Sequence, residues 1–324
     1  MHASEPKPEA RCSVLTLTYN HAPFIAQTIE SVLAQKTDTP VRHIIVDDGS
    51  SDGTRDIVMQ YAAKHSSIVP LFRPARDKLW PCGPYGNVRT LFESARTEYV
   101  ALCDGDDYFT APQKLQRQMD FLDEHKDCAL CFHVVRVTYA DDPGKVRFYP
   151  PVQELPRGVR PFYYLSDLIK GNLIQTNSVM YRWRFRDGLP DWFRVDLTPG
   201  DWYWHLLHAE QGKLGFINEE MSVYRRHKGG IYHLSETDRI KHRATTGLAE
   251  LEVYSVVNKH FKRRFEPFLL NLACGVFADC LMYDAERAEN EGAEPVLPKM
   301  CDTYPEFARY FLAAVKATSA RKTN

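Results

Sequence analysis

Short apolar runs that empty into polar loops recur along the first two thirds of the chain, and each run is followed by residues at helical spacing. Cys12 to Thr18 is rich in β-branched residues and predicts a first strand, ended by Tyr19-Asn20-His21. From Pro23, apolar residues at Ile25, Ile29 and Val32 predict a helix running to Gln35. Val41 to Val46 predicts a second strand. It empties into the loop Asp47 to Thr54 and a helix from Thr54 to Lys64. Ile68 to Phe72 reads as a third strand, followed by an irregular stretch from Arg73 to Gly86 and a helix over Asn87 to Ala95. Tyr99 to Cys103 is uniformly apolar, the pattern of a parallel strand covered on both faces. Pro112 opens a helix with Leu115, Met119 and Leu122 at three-and-four spacing, and Cys128 to Tyr139 is a further strand. The alternation predicts an α/β fold. Right-handed crossovers then put the loops after the early strands on one edge of the sheet.

Farther along, the Pro-rich, charged segment between Asp141 and Arg160 reads as a flexible loop. A helix is expected near Phe162 to Lys170, then loop and strand over Asn172 to Tyr181. Pro199-Gly200 breaks the chain ahead of Asp201, with Trp202 and Trp204 beside it as a stacking surface for a sugar. Lys213 to Glu220 is strand-like, and from Ser235 onward the pattern is helical, with apolar Leu248, Leu251, Val253, Tyr254 and Val257 and later Phe307, Tyr310 and Phe311. Phe268 to Tyr283 is the most apolar late stretch; broken by Asn271 and Asp279, it reads as too short to span a bilayer. The polar residues Met1 to Ala10 predict a disordered tail.

Composition narrows the function classes. With 324 residues, 44% hydrophobic and 12% aromatic, the chain can bury one large core or two modest ones. A formal net charge of -1 argues against a nucleic-acid binder that works through bulk charge. Eight cysteines lie mostly within apolar runs with no secretory signal ahead of them, so reduced thiols and a cytoplasmic location are expected. Cys128-x-x-Cys131 has no second pair to complete a zinc site.

The chemistry concentrates where Tyr99 to Cys103 ends, in Asp104-Gly105-Asp106-Asp107. Ligands bind outside the carboxyl ends of strands in open α/β sheets, and Asp104 and Asp106, two apart in extended chain, can point the same way. Two hard oxygen donors suit Mg²⁺ or Mn²⁺ sharing its shell with a ligand's phosphates. The same acids also fit a polar turn that caps the next helix. The loop Asp47 to Thr54, dense in Asp, Gly and Ser, reads equally as a capping turn or as a ligand loop offering backbone N–H groups. Asp201 is at least a helix cap.

Taken in order, Thr18-Tyr19-Asn20, then Val46-Asp47-Asp48-Gly49-Ser50-Ser51-Asp52-Gly53-Thr54, then Asp104-Gly105-Asp106-Asp107 resemble family 2 of the inverting glycosyltransferases over approximately residues 11 to 230. The resemblance implies the GT-A fold, a mostly parallel twisted sheet flanked by helices, here with a helical C-terminal extension. The expected organisation is a tail at 1–10, a catalytic domain at 11–230 and a helical region at 231–324. It also implies roles for individual residues. Thr18, Tyr19 and Asn20 would line the nucleotide pocket, Asp48 would hydrogen-bond the base or ribose, and Asp104 would reach the ribose side and the metal. Asp106 would ligate Mn²⁺ or Mg²⁺, Asp107 would share either task, and His227 would contact the metal or diphosphate. Arg225 or Arg226 would pair with phosphate oxygens, and Asp201 would be the catalytic base. Gly229-Gly230 would hinge a lid.

The implied partners are a nucleotide-diphosphate sugar, with uracil as the leading base over thymine and guanine, and a glycan or lipid-linked saccharide acceptor, as in surface polysaccharide synthesis. A homo-oligomer is compatible with this. The alternative is a catalytically silent nucleotide-sugar or glycan-binding module on the same fold. Where the family often carries an Asn-x-Gly loop, this chain has Lys78 to Asn87, so Trp80 and Tyr85 are candidates to shape the donor pocket. The basic run Lys259 to Phe265 reads as a solvated helix face; with a lipid-linked acceptor it would rest on the inner face of the membrane.

Overall fold

A computed structural model of the chain describes residues 9–73, 94–151, 158–194, 197, 200–230, 238–287 and 294–322. Residues 1–8 of the expected N-terminal tail, most of the helix expected over 87–95, Trp80, Tyr85, Thr198 and Pro199 lie outside the described residues. The chain divides into two compact units. One comprises residues 1–165, 172–196 and 204–225, the other 166–171, 197–203 and 226–324.

The first unit is built on β1 (Cys12–Thr18), β2 (Val41–Asp47), β3 (Ile68–Phe72) and β4 (Tyr99–Leu102). These four pair in parallel, in the order β3-β2-β1-β4. Their runs are apolar because helices cover both faces. On one face α1 (Ile25–Leu33) and α2 (Thr54–Lys64) bring Ile25, Ile29 and Val58 onto Ile45 and Ile68. On the other, α3 (Lys114–Glu124) packs Leu115, Met119 and Leu122 against Cys12, Val14, Tyr99 and Ala101. Each such buried side chain contributes roughly 1.5–3 kcal/mol.

Beyond β4 the sheet turns antiparallel. Its order continues through β9 (Met180–Arg182), β6 (Cys128–Tyr139), β10 (Lys213–Arg226) and β5 (Tyr108–Phe109). Two short strands join its flanks. β7 (Val146–Tyr149) pairs with β6, so the segment expected as a flexible loop after Asp141 contains a strand in register, with Val135 opposite Tyr149. β8 (Phe162–Tyr163) pairs with β10, and only the short helix α4 (Leu165–Leu168) remains of the helix expected there. β10 is a strand of 14 residues and continues to Arg226, past the Glu220 end of the run that the sequence suggested.

The second unit is mainly helical: α6 (Arg239–His260), α7 (Glu266–Arg287), α8 (Val296–Thr303) and α9 (Pro305–Lys322), following α5 (Gly200–Ala209), which starts in this unit. Gly247 on α6 allows close approach, since a Cβ there would stand 2.7 Å from Met300 and 2.8 Å from Val276. The expectation that Phe268 to Tyr283 is too short to span a bilayer is corrected by α7. It is an unbroken helix of 22 residues, and by length and hydropathy alone it could cross one; about a third of its most apolar stretch is buried. Asp279 does not break it. Its carboxylate is buried and takes Arg239 at 2.8 Å and Arg243 at 3.8 Å.

Candidate active site

The polar loops that follow β1, β2 and β4 are stitched together at the carboxyl edge of the first unit's sheet. Asp48 N donates to Thr18 O at 2.9 Å, and Gly105 N donates to Leu17 O at 2.9 Å. Asn20 takes a left-handed conformation, φ 53°, which asparagine tolerates better than most residues. Its N–H donates to Ser50 Oγ at 2.8 Å while its Oδ1 accepts from Ser51 N at 2.9 Å. Asn20 therefore clamps the first loop to the second.

Within the second loop the two adjacent aspartates differ. Asp47 is fully buried and organises the turn, its Oδ1 accepting from Gly49 N, Ser50 N and Arg55 Nε at 3.2, 3.0 and 2.6 Å. Asp48 is buried beside Arg73, whose Nη1 lies 3.7 Å from its Oδ1. Asp52 secures the far end, accepting from Ala22 N at 2.9 Å, Thr54 N at 3.0 Å and Thr54 Oγ1 at 2.6 Å. Burial opposes its ionisation, but these hydrogen bonds outweigh that and hold its pKa below the usual value.

After β4 the chain passes directly beneath the first loop. A Cβ at Gly105 would stand 2.5 Å from Thr18 Oγ1 and 2.9 Å from His21 Nδ1, so only glycine fits. Thr18 Oγ1 is itself buried and makes no hydrogen bond among the described residues. Asp104 and Asp106 are partly exposed on either side of Gly105. His21 Nε2 lies 3.6 Å from Asp106 Oδ2, and the two side chains are 15% and 13% exposed.

Asp107 does something else. Fully buried, it accepts from Asn177 Nδ2 and from Arg225 N, both at 3.0 Å. Burial first, then the neighbouring Asp106 and Asp104, push its pKa well above the carboxylate range. The expectation that Asp107 shares the metal or ribose task is corrected, because its carboxylate is engaged inside the fold. Arg225 is likewise engaged, its guanidinium over the rings of Tyr108 and Phe24 at 4.6 and 5.0 Å and its Nη2 donating to Gln27 Oε1 at 2.9 Å.

The remaining predicted residues belong to the second unit, apart from Trp204, which lies in the first. Asp201 sits in the first turn of α5 and accepts from Trp202 N at 2.7 Å. Arg226 ends β10. His227 opens the following turn, where its carbonyl accepts from Gly230 N at 2.9 Å and its ring lies 3.3 Å from where a Cβ on Gly229 would stand. The tryptophans beside Asp201 are not a sugar platform. Trp202 is 5% exposed and donates from Nε1 to Leu168 O at 2.8 Å, and Trp204 is 4% exposed against Phe193.

The first unit thus gathers Thr18, Tyr19, Asn20, Asp48, Asp104 and Asp106 at one sheet edge. Sequence reasoning did not single out His21, Asp52 or Asn177. Only the position of His21, directly after Thr18-Tyr19-Asn20, could have flagged it.

This arrangement of strands and acidic loops has known counterparts. The family model "Glycosyl transferase family 2" matches residues 13–193, more than half of the chain. The chain belongs to that family. Its fold is the GT-A arrangement that the sequence resemblance implied. Over 235 residues it is 40% identical to the uncharacterized protein Rv1520 of Mycobacterium tuberculosis, covering 72% of this chain and 64% of that protein. The match therefore spans just under two thirds of the relative's length. Among solved structures, the chain resembles the mannosyltransferase PcManGT from Pyrobaculum calidifontis in complex with GDP-Man and Mn²⁺. The TM-score is 0.55 at 16% identity, covering 96% of this chain and 86% of that one. It also resembles S. aureus TarS 1-349 in complex with UDP-GlcNAc, with a TM-score of 0.51 at 17% identity, covering 83% and 81%. At these identities the likeness is one of fold.

Proposed function

We propose that this chain is a metal-dependent, inverting glycosyltransferase that moves a sugar from a UDP-sugar to a hydroxyl of a glycan or lipid-linked acceptor in surface polysaccharide synthesis. The observation that carries this reading is the close seating of Gly105 on Thr18, which leaves Asp104 and Asp106 partly exposed at the carboxyl edge of the sheet beside the Asp48 loop. The nucleotide sugars in TarS and PcManGT support a donor of that class.

The residues suit a divalent cation. Asp104 and Asp106 offer hard oxygen donors, and the Mn²⁺ in PcManGT supports such an ion in this fold. Asp106, with Asp104 and His227, would hold it; bound there, it neutralises charge on the departing diphosphate. Thr18, Tyr19 and Asn20 bind the nucleotide along the first loop, Asp48 takes the base or ribose, and Arg226 faces the phosphates.

Asp201 acts as general base. The acceptor oxygen bonds to the anomeric carbon as the bond from that carbon to the diphosphate oxygen breaks, and the hydroxyl proton passes to the Asp201 carboxylate. Charge develops on the sugar as in an oxocarbenium ion. The assignments of Asp201, Arg226 and His227 rest on the sequence resemblance.

Inversion is tested by NMR on the sugar first released when UDP-sugars are incubated with the protein and Mn²⁺, water serving as acceptor. An α-linked donor should yield the β-sugar. Release of the α-sugar overturns the inverting mechanism, and turnover of no nucleotide sugar overturns the transferase reading in favour of a silent binding module.

A further inference from the structure

His21 is held more firmly than a loop histidine needs to be. Its N–H donates to Thr54 Oγ1 at 2.9 Å, and its carbonyl accepts from Phe24 N and Ile25 N at 2.9 and 2.8 Å as α1 begins. The ring meets the edge of Phe24 at 6.4 Å and lies over Gly105, where a Cβ would come within 2.9 Å of Nδ1. Backbone and ring are both fixed, and what this placement aims is Nε2, at 3.6 Å from Asp106 Oδ2.

That separation is too long for a hydrogen bond and suits two ligands of one ion. With metal–ligand bonds of about 2.1 Å, two donors on a single cation stand roughly 3.0 to 3.6 Å apart as the angle between them opens from 90° towards about 118°. We propose that His21 Nε2 is a protein ligand, alongside Asp106, of the divalent cation at this site. The inference rests on the reading given above, in which a cation sits at Asp106. It adds to that reading a nitrogen donor from the first loop, beside the carboxylates of the acidic motif and the His227 imidazole.

A second imidazole beside that of His227 has a consequence that a further oxygen donor lacks. Imidazole strengthens binding along the first-row series and suits Co²⁺ far better than Mg²⁺. His21 therefore sets metal preference, and removing it should weaken the later ions selectively. A residue that merely supported the loop would weaken all ions together.

The test uses the full chain with UDP present, titrated calorimetrically with Co²⁺, Mn²⁺ and Mg²⁺, for the unsubstituted protein, His21→Ala, His21→Asn and Asp106→Ala. Pulsed EPR of bound Mn²⁺ reads ¹⁴N coupling in the same samples. The expected result is a loss of about tenfold or more in Co²⁺ affinity for both His21 variants, with a much smaller change for Mg²⁺. The ¹⁴N modulation should fall as well. Two variants guard against misfolding, since His21→Asn keeps a polar side chain at the position. An unchanged Co²⁺ to Mg²⁺ ratio together with unchanged ¹⁴N coupling overturns the inference while leaving a cation at Asp106. Metal binding that Asp106→Ala does not weaken overturns the underlying reading instead.

Discussion

The carboxylate of Asp107 and the amide of Asn177, 70 residues apart in the chain, meet at 3.0 Å in a fully buried hydrogen bond. Asn177 Nδ2 also donates to Val223 O at 2.9 Å, Ser222 Oγ donates to Asn177 Oδ1 at 3.1 Å, and Arg225 N donates to Asp107 Oδ1 at 3.0 Å. The end of the acidic motif is thereby fastened to β10. A buried network of this kind either has all its members paired or becomes destabilising.

Asp107→Ala leaves the Arg225 N–H and one Asn177 N–H without acceptors, and should destabilise the protein by roughly 2–4 kcal/mol. Urea unfolding reads this directly. Asn177→Ala should act in the same direction. A neutral outcome for both would mean the network contributes nothing to the fold.

Gly105→Ala places a methyl 2.5 Å from Thr18 Oγ1 and 2.9 Å from His21 Nδ1. The loop must then lift from the first strand, moving Asp104 and Asp106. Affinity for UDP in the presence of metal should fall by about tenfold or more, on the scale of disturbed metal-site geometry. Binding as tight as that of the unsubstituted protein would show that the close seating of the motif is incidental.

Asp201 has a structural and a proposed chemical task, and two substitutions separate them. Asp201→Asn keeps an oxygen for Trp202 N, whereas Asp201→Ala loses that hydrogen bond, worth roughly 0.5–1.5 kcal/mol. Both should lower kcat by about 10²- to 10⁴-fold while UDP binding stays unchanged. Equal activity of Asp201→Asn and the unsubstituted protein would remove Asp201 as the base.

Burial drives the pKa of His43 down to about 3, and that of His205 likewise to about 3. Both stay neutral in the folded chain but protonate near 6.5 when it unfolds. The unfolded state thus binds more protons below pH 6.5, and stability falls as pH drops from about 6.5 towards 3, by about 1.4 kcal/mol per pH unit for each histidine. Urea midpoints at pH 7, 6 and 5 test the slope. His43→Asn, whose side chain can still pair with Thr16 Oγ1, should flatten it by one histidine's share.

Much of the first unit was legible from residue order. Val14, Ile45 and Tyr99 lie in short apolar runs because parallel strands are covered on both faces, and the three polar loops fall on one edge because parallel neighbours must. What escaped depends on contacts between distant segments. Asp107 is indistinguishable in sequence from Asp106, and only the approach of Asn177 and Arg225 makes it structural. Trp202 beside a candidate base reads equally as a sugar platform or as core, and its hydrogen bond to Leu168 O decides for core. Asp279 looked only like an interruption of an apolar stretch, because its partners Arg239 and Arg243 come from another helix. His21 carried no periodic signal; its place over Gly105 follows from how β1 and β4 pair.

The central claim, a nucleotide-sugar site built around Asp106, is tested most directly by calorimetric titration of UDP with and without Mn²⁺ on the unsubstituted protein and on Asp106→Ala. Binding should require Mn²⁺ and be lost on substitution. Failure of UDP, dTDP and GDP to bind under either metal condition would contradict it.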